Sequence, residues 1–276
     1  SSRKSALFSK SDSQSIVKKA IVDSLKKSHK TQHLPESSKS CFAIRIQIEN
    51  DQVILSMDTS GTGLSHRGYR AHMDKAPLRE TLAAGLVLLS RWRPERDTLF
   101  DPLCGTGTIL IEAAMMAMGM APGLNRSFAA ENWRSIPKKL WESARKQAQE
   151  SIKTDAPFQI FGSDMNQNVL HIAEKNIDIA SVQNIDLKQV SLSDCRPQSE
   201  TGKIICNPPY GERLNELDDV ERLYKNMGDI FLSDFSQWHY YILSPHEEFE
   251  ALFGERSERH RKLYNGGIKC YYYQYY

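Results

Sequence analysis

"DTLFDPLCGTGTILIEAAMMAMG", residues 97–119, holds a strand, a turn and a helix in one stretch. "DTLFD" is a short apolar run of strand length. Asp101-Pro102 stands at the strand's tip. Gly105 and Gly107 then either make a tight strand–helix turn and no more, or let bare backbone approach a ligand. From Thr108 the chain is apolar on every side, the pattern of a helix buried in a large core. Strand, glycine turn and helix in that order make the repeating unit of a doubly wound sheet, where ligands bind beyond the carboxyl ends of the strands. "DPLCGTGT" lacks both the full G-x-G-x-x-G spacing and a P-loop lysine, which counts against dinucleotide and ATP binding. A carboxylate at the strand tip instead offers an acceptor to an ammonium group.

The same alternation extends outward. A helix is predicted over 77–92, before the quoted stretch. After it comes a looser insertion, 120–157, containing the basic helix "PKKLWESARKQAQESI". Next are strand "FQIFGSD", helix "NQNVLHIAEKNIDIA", and strands "DLKQV" and "KIIC". A helix over 217–235, strand "WHYYILS", a short helix near 246–252 and two strands over 259–275 joined by "NGG" complete the chain. This predicts an α/β fold: a doubly wound, mostly parallel seven-stranded sheet, Rossmann-like, closed by an antiparallel hairpin at one edge.

Residues 1–60 follow another pattern. "SDSQSIVKKAIVDSLKKS", 11–28, has a Ser/Asp cap signal and Ile16, Val17, Ala20, Ile21 and Leu25 at helical spacing. "CFAIRIQIEN" alternates Phe42, Ile44, Ile46 and Ile48 with polar residues, and Asn50-Asp51 turns it into "QVILSMDT" as a hairpin. One helix and one hairpin bury too little to stand alone. The segment reads as the C-terminal half of an α/β domain that begins before this chain. Residues 61–76, rich in glycine and charge, form a linker, and 77–276 the larger domain.

The 276 residues are 40% hydrophobic and 25% charged, the balance of a globular protein with a real core. Their longest apolar stretch, "TLAAGLVLLSRW", is too short to span a membrane. Five scattered cysteines (Cys41, Cys104, Cys195, Cys206, Cys270) form no C-x-x-C pair, which argues against a disulfide framework or zinc site and for a reducing cytoplasm. The methionines of "MMAMGM" read as helix packing, with no metal implied. Residues 1–75 carry 13 Lys+Arg against 7 Asp+Glu, and the remainder 23 against 27. A basic appendage on a mildly acidic body suits a polyanion-binding accessory domain, and also a merely lysine-rich surface.

Other strand ends carry further candidates. Asp164, in "FGSDMN", suits ribose hydroxyls; it or Asn166 also suits an N-cap. Asp194, in "VSLSDC", suits an adenine amino group or an ordinary surface loop. Asn207 and Pro208, in "NPPYGERL", both precede prolines, so their carbonyls are held stiffly in extended geometry beside Tyr210. His66, Arg67, Tyr69 and Arg70 would line the cofactor pocket, touch phosphate or tie the two domains together. The closing "YYYQYY" reads as strand packing ahead of base stacking.

Taken together, "DPLCGTGT", the distal acidic tip and "NPPYGERL" resemble class I S-adenosylmethionine-dependent methyltransferases acting on exocyclic or amide nitrogens. With "SDSQSIVKKAI", "HRGYR", "APLRETLAA" and "KLYNGGIKC", the chain resembles THUMP-containing 23S ribosomal RNA guanine-N2 methyltransferases, N-terminally truncated. The resemblance implies S-adenosylmethionine as cofactor. It would be held by Asp101, Pro102, Cys104, Gly105, Thr106, Gly107 and Thr108 at its methionine end, Asp164 and Met165 at the ribose, Asp194 at the adenine, and Asn207. It implies catalysis by Asn207, Pro208, Pro209 and Tyr210 on a guanine flipped from its stack. RNA contacts would come from Lys18, Lys19, Lys26, Lys27, Arg67 and Arg70 of a partial THUMP domain and its linker, with ribosomal RNA as partner and a second methyltransferase module in some relatives. DNA adenine-N6 methylation, protein glutamine-N5 methylation and non-catalytic RNA binding are the competing readings.

Overall fold

The computed structural model describes residues 2–34, 42–70, 78–211 and 214–276; Cys41 and most of the expected linker's second half fall outside them. In chain order the elements are β1 (Ser2–Arg3), α1 (Lys10–His29), β2 (Ala43–Glu49), β3 (Gln52–Asp58), α2 (Glu80–Leu89), β4 (Thr98–Asp101) and α3 (Thr108–Ala117). There follow α4 (Lys138–Glu150), β5 (Ile160–Asp164), α5 (Gln167–Ala180), β6 (Ile185–Gln189), β7 (Gly202–Cys206), α6 (Leu214–Asp234), β8 (His239–Ser244), α7 (Phe249–Phe253), β9 (Arg259–Asn265) and β10 (Ile268–Tyr275). The chain divides into two compact units: residues 64–126 with 145–276, and residues 1–63 with 127–144. The 120–157 insertion is therefore shared between them, and α4 runs through the boundary.

The larger unit is built on a seven-stranded sheet in the order β6-β5-β4-β7-β8-β10-β9. Strands β4 to β8 run parallel to one another, while β10 runs antiparallel to both β8 and β9. Consecutive residues of each central strand feed opposite faces. Leu99, Ile205, Leu243 and Tyr272 join α2 and α3 in one core; Phe100, Ile204, Ile242 and Tyr273 join α6 and α7 in the other. Burial on both sides explains why these strands read as continuous apolar runs. Met115, Met118 and Met120 are packed in the first core, and Tyr272, Tyr273 and Tyr275 are buried. Those tyrosines are committed to packing, so base stacking by them is ruled out. No helix among the described residues is long and apolar enough to cross a membrane.

In the smaller unit β2 and β3 form the expected hairpin, with Asn50 (φ 49) and Asp51 (φ 60) both left-handed, as a type I′ turn requires. β1 adds a parallel strand that the sequence does not announce. The cap of α1 is Ser9, whose Oγ accepts the Asp12 amide, two residues before the expected signal. No residue of the apolar stripe of α1 is fully buried, Val17 and Ile21 being half-buried, and Val53, Leu55 and Met57 are more than half exposed. Residues 127–144 pack here: Phe42 stacks on Trp133 at 4.9 Å, and the amides of Ala129 and Ala130 donate to the carbonyls of Ser60 and Thr59.

Candidate active site

Strand order places three of the expected residues side by side. β4 lies between β5 and β7, so Asp101, Asp164 and Asn207 stand at neighbouring carboxyl-terminal tips, where the chain turns back across the sheet. Asp101 is 2% exposed, and among the described residues its side chain accepts one hydrogen bond, from the Leu103 amide at 3.1 Å. Desolvation, then the nearby Asp164 carboxylate, raises its pKa to about 8. No cation neutralises it among the described residues.

Asp164 is tied to the glycine turn. Its Oδ2 accepts the Gly105 amide at 3.1 Å and its Oδ1 the Asn166 amide at 2.9 Å. Each oxygen retains a free lone pair, so hydroxyl donors can still be accepted. The N-cap of α5 is Asn166, which accepts the Asn168 amide at 3.0 Å, so Asp164 is not the cap. Gly105 (φ 53) and Gly107 (φ 79) are left-handed, and a Cβ on Gly107 would lie 3.3 Å from that of Ala173. Thr106 gives its carbonyl to Asn176 at 3.1 Å, Pro102 gives its to Ser163 at 3.3 Å, and Cys104 donates its amide to the Ser163 carbonyl at 2.9 Å. The Cys104 thiol is buried and its pKa raised by desolvation, as a packing residue would be. Met165 is 73% exposed beside Asp164. Asp194 lies in an exposed turn and accepts the Ser191 hydroxyl at 2.6 Å.

At the β7 tip, the Asn207 Oδ1 accepts the Tyr210 hydroxyl at 2.5 Å. That hydroxyl in turn accepts Asn265 Nδ2 at 3.3 Å and lies 3.7 Å from the Cys270 sulfur. Desolvation raises the Tyr210 pKa. The Pro209 carbonyl accepts the Tyr224 hydroxyl at 2.9 Å, and Tyr224 accepts Ser244 at 3.1 Å. No described donor reaches the Pro208 carbonyl, leaving it free at the tip. The supporting residues Asn265, Cys270, Tyr224 and Ser244 carry no signal of their own in the sequence, although "KLYNGGIKC" spans the first two.

Arg67 and Arg70 correct an expectation. Arg67 pairs with the buried Glu112 at 3.3 Å and donates to the Leu64 carbonyl. Arg70 pairs with Glu80 at 2.7 Å and donates to Thr108 Oγ1 at 3.2 Å. Both guanidiniums are nearly buried, so their donors strap residues 64–70 to α2 and α3 and are unavailable to RNA. Tyr69, 1% exposed, joins them by donating to Glu112 at 3.1 Å. In the other unit, Lys18, Lys19 and Lys27 are exposed along α1 and Lys26 is half-buried.

A mostly parallel seven-stranded sheet with a glycine turn, two acidic tips and an Asn-Pro-Pro-Tyr tip at its switch point defines a class I methyltransferase fold. Residues 67–274 match the family described as RMKL-like, methyltransferase domain, and the chain belongs to that family. It is 44% identical over 274 residues, 99% of its length and 71% of the relative, to a Bacillus subtilis (strain 168) protein named "Putative RNA methyltransferase YpsC". It is 36% identical over 261 residues to the ribosomal RNA large subunit methyltransferase K/L of Shewanella frigidimarina, covering 92% of this chain but only 36% of that protein. The solved structure of SMU.472, described as "a putative methyltransferase complexed with SAH", superposes with a TM-score of 0.89 at 38% identity, over 100% of this chain and 72% of the other. S-adenosylmethionine is accordingly the cofactor. The site suits it: a buried, un-neutralised Asp101 fits an ammonium group, and the left-handed glycines leave backbone open beside it. Among the described residues no group of His, Cys, Asp and Glu is placed to hold a metal ion.

Proposed function

We propose that the chain methylates the exocyclic N2 amino group of a guanine in ribosomal RNA, with the base flipped into the Asn-Pro-Pro-Tyr pocket. The observation carrying this reading is the β7 tip: a fixed amide oxygen on Asn207 beside the free, proline-stiffened Pro208 carbonyl. Bound S-adenosylmethionine supplies an electrophilic methyl group on a sulfonium sulfur. Asp101 and the 105–108 turn hold its methionine end, Asp164 and Met165 flank the ribose, and Asp194 accepts from the adenine amino group.

An aryl amine is a poor nucleophile because its lone pair is conjugated into the ring. Asn207 Oδ1, which keeps a second lone pair after accepting Tyr210, and the Pro208 carbonyl accept the two amino hydrogens. That favours a pyramidal nitrogen and directs its lone pair out of the base plane, while the anchored Tyr210 ring supports the base by stacking. Rate enhancement then comes from orientation and from stabilising the positive charge that develops on nitrogen. The alkylated nitrogen is acidic and sheds its proton without a strong base. Residues 1–60 act as part of a THUMP domain that carries RNA through the α1 lysines.

The test is methylation of undermodified ribosomal RNA followed by nucleoside mass spectrometry. N2-methylguanosine is the expected product. N6-methyladenine formed in DNA, or N5-methylglutamine formed in protein, would replace this reading with one of its competitors.

A further inference from the structure

A cavity of about 370 Å³ lies beside the last turn of α2, at the edge of the sheet opposite the strand tips just described. Lys203 and His239 stand where β7 and β8 begin, and Arg259 opens the antiparallel β9. Gln274 pairs in register with both Arg259 and Tyr241, and Arg261 with Tyr272, so these side chains share one face of the sheet. Arg91 and Arg93 complete the charged wall, giving five cations around one cavity.

Two of the five are satisfied internally. Lys203 Nζ donates to the Ser90 and Arg91 carbonyls at 2.8 Å each and lies 3.5 Å from Asp97. Arg93 also pairs with Asp97, at 3.5 Å. Of the nearby carboxylates, Asp97 is thus shared by two cations, and Glu258 accepts the Tyr276 amide at 3.1 Å. The guanidiniums of Arg91, Arg259 and Arg261 have no hydrogen-bond or ionic partner among the described residues. Arg261 Nε and Gln274 Nε2 are moreover buried donors without an acceptor, and Gln274 as a whole is 5% exposed. Buried donors are almost always paired, so two orphans at one cavity point to a missing acceptor.

We propose that this cavity binds a phosphate group, with Arg91, Arg259 and Arg261 supplying charge and Gln274 a neutral N–H donor. Planar guanidinium forks match phosphate oxygens in bidentate geometry. Three un-neutralised cations exceed what one carboxylate offsets, whereas a phosphate ester or pyrophosphate carries more charge and more acceptor oxygens. Desolvation and then Lys203 lower the pKa of His239 at the cavity's wall. The site lies at the opposite strand ends from Asp101 and Asn207 and does not depend on the methyl-transfer reading.

The experiment titrates the protein, in chloride buffer, with inorganic pyrophosphate by calorimetry and with a short single-stranded RNA by fluorescence anisotropy. At least one probe is expected to bind saturably and to weaken tenfold or more in the Arg259→Gln/Arg261→Gln double variant, with S-adenosylmethionine affinity unchanged. Saturable pyrophosphate binding identifies a free phosphate as the occupant. RNA binding that alone responds to the substitutions identifies a backbone phosphodiester. Gln274→Leu removes an orphaned buried amide, so it should keep or raise Tm while weakening the same probe several-fold. If the double variant folds and neither affinity changes, the proposal fails; if it does not fold, unchanged affinities in Gln274→Leu overturn it equally.

Discussion

Asn207 holds its place through a hydrogen bond that the sequence did not disclose. From "NPPY" alone, Tyr210→Phe would be mild, since a phenyl ring still stacks. With the Tyr210 hydroxyl on Asn207 Oδ1, the same change also frees the amide to rotate. Single-turnover methyl transfer should therefore fall by about tenfold in Tyr210→Phe, the loss of roughly one hydrogen bond, with cofactor affinity unaltered. Asn207→Ala should fall further, by roughly 10²–10³-fold, again without weakening S-adenosylmethionine by more than a few-fold; parallel loss of both would indicate mere unfolding. Asp101 gives a pH signature. Its carboxyl titrates at about 8 in the fold against 3.8 unperturbed, so the folded state binds the extra proton between those values. The stability it contributes is full below about pH 4 and is lost as pH rises through about 8. A cationic ligand favours the ionised form, so cofactor affinity should strengthen with pH, by at most about tenfold per unit, and level off above about 8. Calorimetry across that range checks this, and Asp101→Asn should flatten the profile.

Elements show where sequence reading works and where it fails. Burial on two faces made the central strands β4, β7 and β8 legible as apolar runs, the helices between them showed helical spacing, and "NGG" marked the β9–β10 hairpin. What stayed hidden were contacts between distant elements. Asn265 reaches Tyr210 across 55 residues, and Arg67 reaches Glu112 across 45, with no periodicity to betray either. Gly228 is another such case. In the middle of α6 a glycine looks like a weakness, and alanine would favour the helix by about 1 kcal/mol. A Cβ there would lie 1.8 Å from the Phe253 carbonyl oxygen at the end of α7. Backbone meets backbone, so no rotamer relieves the clash. Gly228→Ala should destabilise the protein by about 3 kcal/mol, read as a lower urea midpoint.

Across the whole molecule, charge and chain path carry the remaining consequences. Exposed Lys18, Lys19 and Lys27, with Lys26 beside them on α1, make RNA affinity salt-dependent in the proposed reading. Replacing two of them by alanine should lower the slope of log K against log salt by roughly 0.7 per lost contact on single-stranded RNA; an unchanged slope would assign the binding elsewhere. The basic appendage was legible as composition, but the membership of residues 127–144 was not, because nothing in a local pattern reports which unit a segment joins. The polypeptide passes from one unit to the other at 63/64, 126/127 and 144/145. A single splice therefore cannot transplant either unit whole. A chain started at Leu64 would carry residues 127–144 as a stranded excursion, with Trp133 stripped of Phe42 and the Ala129 and Ala130 amides of their acceptors. An exchange of either unit with a relative's therefore has to replace two separate stretches of chain at once.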